Sequence, residues 1–413
     1  MNRERILGVL IAAVLVAAAV VVVTKTRAPE SGIESAPAPA PLETGAVSML
    51  IIGIEGLEPS LVARFSERGQ LPNLTRLMQE GVSGEFQALE RGIAPEISWT
   101  SLATGMKPEN QGVGGQVLSN RGELVDANLV PSSRTVDAIW THLSAMEKPV
   151  GVVGWPGTWP VETIDGVIVG QYSRLVLDRA HGGDVNDRIQ PASQQQVLDA
   201  LVIEEGEMTR KHLAGFLNLD TPMGFEALVG QNYTSLARAY AGDNTNARIA
   251  MEIAADPGVE YLLVHLEGLD GVCQRFWHYM DPESVLSGAA LDGRGRAELM
   301  EQSRTLGSAI ERYYSFLDTI VGVLAELVQE NGTIAIVTDH GYVGVRLDRG
   351  GSPLVGFDMH SSQGFWILKG PSVIESGETV ECELFDFAPT VMEAAGVAFP
   401  EGTDGRILEE VLR

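Results

Sequence analysis

The chain has 413 residues, 45% hydrophobic and 20% charged, the proportions of an ordinary globular protein with room for one large or two ordinary domains. A formal net charge of −26 excludes functions that depend on gripping a phosphate backbone, so no nucleic-acid partner is expected. Its two cysteines, Cys273 and Cys382, stand far apart in no metal-binding or redox spacing and leave the compartment open.

The N-terminus is more informative. Ile6 to Val23 is an uncharged run of eighteen residues. At about 1.5 Å each they would span roughly 27 Å, close to the hydrocarbon thickness of a bilayer. Arg3 and Arg5 precede it, Lys25 and Arg27 follow it, and no small-x-small cleavage site comes after. Residues 1–27 therefore read as an uncleaved signal anchor with its N-terminus inside. Residues 28–46, with Pro29, Pro37, Pro39 and Pro41 among Ala, Ser and Glu, form an extended, semi-rigid linker. The folded part, 47–413, is expected outside the cytoplasmic membrane, periplasmic or extracellular.

Folding starts with Ser48 to Ile54, a buried strand ending at Glu55-Gly56. Leu61, Phe65, Leu74 and Leu77 predict a helical stretch from Pro59 to Gly81, interrupted between Gly69 and Pro72. A loop runs from Phe86 to Pro95, and Trp99 to Ala103 starts an apolar segment that closes at Thr104-Gly105. Val136 to Leu143 has helical character, while Val150 to Gly154 and Val167 to Val169 read as strands. Residues 173–250 carry mixed charge and helix-compatible stretches such as Gln194 to Glu204, so a helical insertion or cap is expected there.

Tyr261 to Leu266 returns to strand and ends near Glu267-Gly268-Leu269-Asp270. A long helix is predicted from Arg304 to Glu330, followed by the β-branched run Thr333 to Val337. That run leads into Thr338-Asp339-His340-Gly341, an acid and an imidazole side by side where a strand ends. Alternating strands and helices predict an α/β fold, doubly wound, with a mainly parallel sheet and helices on both faces. Ligands of such sheets sit outside the carboxyl ends of the strands. Glu55, Asp270, Asp339, His340 and His360 are thus candidates for one shared site, with mixed Asp and His ligands suited to zinc and manganese a further possibility. Two such ions could clamp the oxygens of a phosphoryl transfer.

With these residues in view, the chain resembles the type I phosphodiesterase/nucleotide pyrophosphatase family of the alkaline phosphatase superfamily. The resemblance runs in order through Ile52 to Gly56, Trp99 to Gly105 with Pro108 and Gly112, and Thr158-Trp159-Pro160. It continues through Asp270 to Trp277, Thr338 to Gly341, His360 to Gly364, and Asp386 to Thr390. It implies an alkaline-phosphatase-like fold, two zinc-type ions, a Thr or Ser nucleophile, and a phosphoester or nucleotide-like small molecule as substrate. Carried over, Asp270 and His360 would hold one ion, and Asp339 and His340 the other.

The departures matter as much. Glu55 stands where the family has Asp, Gln274 where it has a ligand His, and Gln111 where His precedes the glycine. The nucleophile position falls on Pro95 or Ala94, neither of which can attack phosphorus. Ser98 is the nearest substitute, and its other role would be to cap the helix that starts at Trp99. Two functions stay open. One is a relative that keeps the fold with hydrolysis impaired or lost and one, two or no ions bound. The other is an active phosphodiesterase or phosphatase that uses Ser98 or a metal-bound hydroxide. A sulfatase is disfavoured, because neither Cys273-Gln274-Arg275 nor Cys382-Glu383-Leu384 continues as x-Pro-x-Arg.

Overall fold

A computed structural model describes residues 47–89, 93–114, 116–118, 124–126, 131–171, 188–283, 293–342 and 360–413. The expected anchor at 6–23, the linker at 28–46 and the first part of the expected insertion lie outside them. Among the described residues, no helix is long and apolar enough to cross a membrane.

In chain order the strands are β1 (Val47–Ile54), β2 (Val82–Gln87), β3 (Gln116–Leu118), β4 (Leu124–Asp126), β5 (Val150–Val153), β6 (Gly166–Val169), β7 (Ile189–Gln190), β8 (Tyr261–Leu266), β9 (Val328–Thr338), β10 (Gln363–Lys369) and β11 (Thr379–Cys382). The helices are α1 (Pro59–Glu67), α2 (Pro72–Glu80), α3 (Pro95–Thr104), α4 (Pro108–Gln111), α5 (Ile139–Ala145), α6 (Gln195–Asp199), α7 (Gly230–Ala254), α8 (Gly268–Met280), α9 (Gly293–Leu306), α10 (Ala309–Ala325) and α11 (Phe387–Ala394).

Nine strands form one sheet in the order β11-β2-β10-β9-β1-β8-β5-β6-β7. Its centre, β9-β1-β8-β5-β6, is parallel. β10 runs antiparallel to both β9 and β2, and β7 antiparallel to β6, while β11 is parallel to β2, so the sheet is mixed with most of its pairings parallel. β2 and β10 were not expected as strands. β2 holds Ser83, Gly84 and Glu85, poor strand formers in isolation that pairing with β10 overrides.

Side chains of β1 alternate between two cores, as the period of a strand requires. Leu50, Ile52 and Ile54 face one core, with Phe65, Leu74, Phe276 and Leu317, while Met49 and Ile51 face the other, with Trp99, Trp140, Trp155 and Phe387. Helices therefore cover both faces, as expected. α7 runs past residue 250 and sends Ala247, Ile249, Ala250 and Ile253 into the first core, so its second half belongs to the layer on the sheet.

The helix expected over Arg304 to Glu330 is two helices, α9 and α10, broken at Gly307. A Cβ there would lie 2.5 Å from the Ser303 carbonyl oxygen and 2.8 Å from that of Tyr279, so the chain turns where only glycine fits. α10 ends at Ala325 and β9 begins at Val328, before the Asn331-Gly332 boundary. Its early residues are exposed, and the pairing with β1 shifts register between Val47 and Met49.

Candidate functional site

Register brings the acid-bearing ends together. Gly53 of β1 is level with His265 of β8 and Val337 of β9, so Glu55, the Glu267–Asp270 turn and Asp339-His340 leave the sheet on adjacent strands at one edge. β10 is antiparallel, so its N-terminal end reaches the same edge, and a bridge between Tyr342 and His360 sets His360 beside them. Gly56 (φ +78°) makes the close approach, since a Cβ there would lie 3.2 Å from Asp270 Cα.

Three ligand-type atoms, one each from Asp270, His340 and His360, lie within 4.8 Å of one another. His360 Nε2 is 3.4 Å from Asp270 Oδ1. The two imidazoles stack, with centroids 3.7 Å apart and planes 13° from parallel. His340 Nδ1 lies 3.0 Å from the Gly341 carbonyl oxygen. A carbonyl only accepts, so Nδ1 is the donor, and Nε2 is the nitrogen that a metal would take. Asp270 Oδ1, Asp339 Oδ1 and His340 Nε2 are buried and make no hydrogen bond among the described residues. Buried polar atoms left in this way call for a ligand.

Charge gives the same answer. Burial pushes the Glu55 carboxyl well above its ordinary range, and the charges of Asp270, Asp339, Glu267 and Glu96 add to the shift in that order. Several carboxyl groups crowded at one buried edge are relieved by a cation or by taking up a proton. The residues present therefore fit a divalent ion at Asp270, His340 and His360. His340, expected to share a second ion with Asp339, groups with Asp270 and His360, and its Nε2 is 3.7 Å from Asp339 Oδ1.

The substituted positions have definite partners. Gln274 lies one helical turn after Asp270 and donates Nε2 to Asp270 Oδ2 at 2.7 Å. Glu55 Oε2 is 3.7 Å from His265 Nε2. Gln111 is fully buried and accepts from Ser101 Oγ at 3.2 Å while donating to the Ile97 carbonyl at 3.1 Å, which ties α4 to α3.

Ser98 is not a helix cap. α3 begins at Pro95 with Ala94 as its N-cap, so Ser98 lies inside the first turn, and Oγ donates to Asp339 Oδ2 at 2.6 Å. Its neighbour Trp99 sets the pose. A Cβ on Gly53 would lie 2.5 Å from the Trp99 ring, so the indole lies flush on β1, edge-on to His265 with centroids 4.4 Å apart.

Sequence reading missed Glu58 and assigned His265 no site role. Glu58 Oε2 accepts from Tyr342 N at 2.9 Å, clamping the turn after His340, and Gly341 is required because a Cβ would meet that same oxygen. No local signal marks this pair, which is 284 residues apart in the chain.

The model of the type I phosphodiesterase/nucleotide pyrophosphatase family matches residues 49–357. Comparison with curated protein sequences finds no match. Among solved structures, an alkaline phosphatase PafA variant superposes with a TM-score of 0.51 at 12% identity, covering 88% of this chain and 99% of its own. An inactive variant of murine ectonucleotide pyrophosphatase/phosphodiesterase 5, in complex with AMP, gives 0.46 at 10% identity, with 89% and 100% covered. The phosphonate monoester hydrolase of Silicibacter pomeroyi gives 0.43 at 15%, with 88% and 76% covered. At 12% identity the likeness to the alkaline phosphatase is one of fold.

Proposed function

This chain belongs to the type I phosphodiesterase/nucleotide pyrophosphatase family, and we propose that it is a member that binds a divalent cation, zinc or manganese, while its phosphoester hydrolysis is impaired or lost. Asp270, His340 and His360 would hold the ion, which when bound supplies a positive centre for a phosphoryl oxygen. The observation that carries the loss of hydrolysis is the start of α3. Ala94 and Pro95, where the resemblance places a nucleophile, bear no hydroxyl, and the first hydroxyl in the helix belongs to Ser98. Residues acting as a unit fail together, and Glu55 and Gln274 depart from the family pattern beside them. Residues 6–23 would anchor the chain in the cytoplasmic membrane with 47–413 outside, a placement that protease accessibility of intact cells tests.

A second reading has one observation in its favour. Asp339 Oδ2 accepts the Ser98 proton at 2.6 Å, the distance of a charge-assisted hydrogen bond, so the carboxylate orients a hydroxyl that could act as a nucleophile. One experiment separates the two. The full chain is assayed for bound metal and for turnover of an aryl phosphodiester and an aryl phosphomonoester with added zinc or manganese, beside His340→Ala and Ser98→Ala. Bound metal with no turnover supports the first reading, and turnover abolished by both substitutions supports the second. A native chain that binds no metal excludes both.

A further inference from the structure

Asp270, shared with the candidate metal site, and Gln274 also line a cavity of about 430 Å³ between α7 and α8. That volume suits a small ligand rather than a polymer. Its lining also includes Gln231, Thr234 and Arg238 from α7, Arg275 from α8, and the carboxyl groups of Glu55 and Glu267. The two arginines differ in their surroundings. Arg238 is exposed and pairs with Glu205, Nε to Oε2 3.2 Å. Arg275 donates Nε to Asn232 Oδ1 at 2.5 Å and Nη1 to Gln231 Oε1 at 3.3 Å, both neutral acceptors. Among the described residues no carboxylate lies within ion-pair distance of it. A guanidinium has five N–H donors in a fixed fork, and here the two amides orient it without neutralising it. In a chain of net charge −26 a guanidinium held on a cavity wall by two neutral amides is a specific feature. Its charge also reaches inward, where it adds to burial in holding the His278 imidazole low.

We infer that this cavity takes small phosphoesters bearing a second anionic group, with the phosphoester at Asp270, His340 and His360 and the second anion on Arg275. The inference rests on the reading that those three residues hold a cation, since the Asp270 carboxylate would otherwise repel a phosphate. It adds a ligand class to that reading, because a monofunctional phosphoester leaves the guanidinium unanswered.

The test compares 2-carboxyethyl phosphate with n-propyl phosphate, probes of matching length that differ in the carboxylate. Both are titrated calorimetrically into the full chain with zinc present and again after chelation. The carboxylate-bearing probe should bind about tenfold more tightly or better, as one charge-assisted bidentate contact provides. Arg275→Gln should bring the two probes to within about twofold, and Arg275→Lys should keep part of the preference. Equal affinities in the native chain overturn the inference, as does failure of both probes to bind or a preference that survives Arg275→Gln. The comparison within the native chain stands even if a variant folds poorly. Chelation should weaken both probes alike; affinities that are undiminished by it remove the metal reading and leave the anion site on Arg275 in place.

Discussion

Gln274 Nε2 donates to Asp270 Oδ2 at 2.7 Å from one turn along α8, so an amide occupies the position from which an imidazole would reach a metal. The bond satisfies one oxygen of Asp270 and leaves Oδ1 facing His360 Nε2 at 3.4 Å. The site thereby keeps one carboxylate oxygen of Asp270 for a ligand. Gln274→His should tighten zinc binding by about ten- to a hundredfold, because it adds a donor and frees Oδ2. Competition against a chromogenic chelator measures this, and an unchanged affinity would show that residue 274 does not face the ion.

Restoring a hydroxyl at the helix start should not be enough by itself. Ala94→Thr supplies an N-cap and should stabilise α3 by about 1 kcal/mol. Turnover of an aryl phosphodiester is expected only when Glu55→Asp and Gln274→His are added, since groups acting as a unit are not additive. Thermal melts and steady-state rates on the single and triple variants check both halves. Full turnover in the single variant would contradict the account.

His278 provides a pH dependence whose sign is fixed. Burial, and secondarily the charge of Arg275, lowers its imidazole from the ordinary 6.5 to about 4. The unfolded chain therefore binds the proton more readily across that window. This contribution is present above about pH 6.5 and is lost as pH falls toward 4, up to about 3 kcal/mol in all. Urea unfolding at pH 5 and pH 7.5 should show a smaller difference for His278→Gln than for the native chain. Equal differences would mean that the ring titrates normally.

Gly53 and Trp99 test how the helix is seated. With the indole 2.5 Å from where a Cβ would stand, Gly53→Ala should cost about 1–3 kcal/mol by overpacking. Lifting Trp99 also lifts Ser98, so the Asp339 carboxylate should lose its hydroxyl partner. Denaturant unfolding gives the stability, and a crystal structure of the variant gives the Ser98–Asp339 distance, which should exceed hydrogen-bonding range.

Much of this protein is written locally. The apolar runs at 47–54, 261–266 and 333–337, and the acids that follow each, are contiguous signals that need no distant partner to be recognised. They carried the α/β class, the burial of β1 and the meeting of Glu55, Asp270, Asp339 and His340 at one edge. The break between α1 and α2 was equally local, marked by Gly69 and Pro72.

Other features depended on neighbours that the linear chain keeps apart. β2 and β10 became strands by pairing with each other, and Gly307 broke a helix because the Tyr279 carbonyl passes beside it. Ser98 looked like a cap, but its hydroxyl donates to Asp339, 241 residues away, and Glu58 meets Tyr342 across 284 residues. The amino-acid order alone determined which elements form and which chemical groups stand at their ends, since backbone propensity and side-chain period act over a few residues. Only the tertiary structure decided which of those groups touch, because hydrogen bonds, burial and charge act through space.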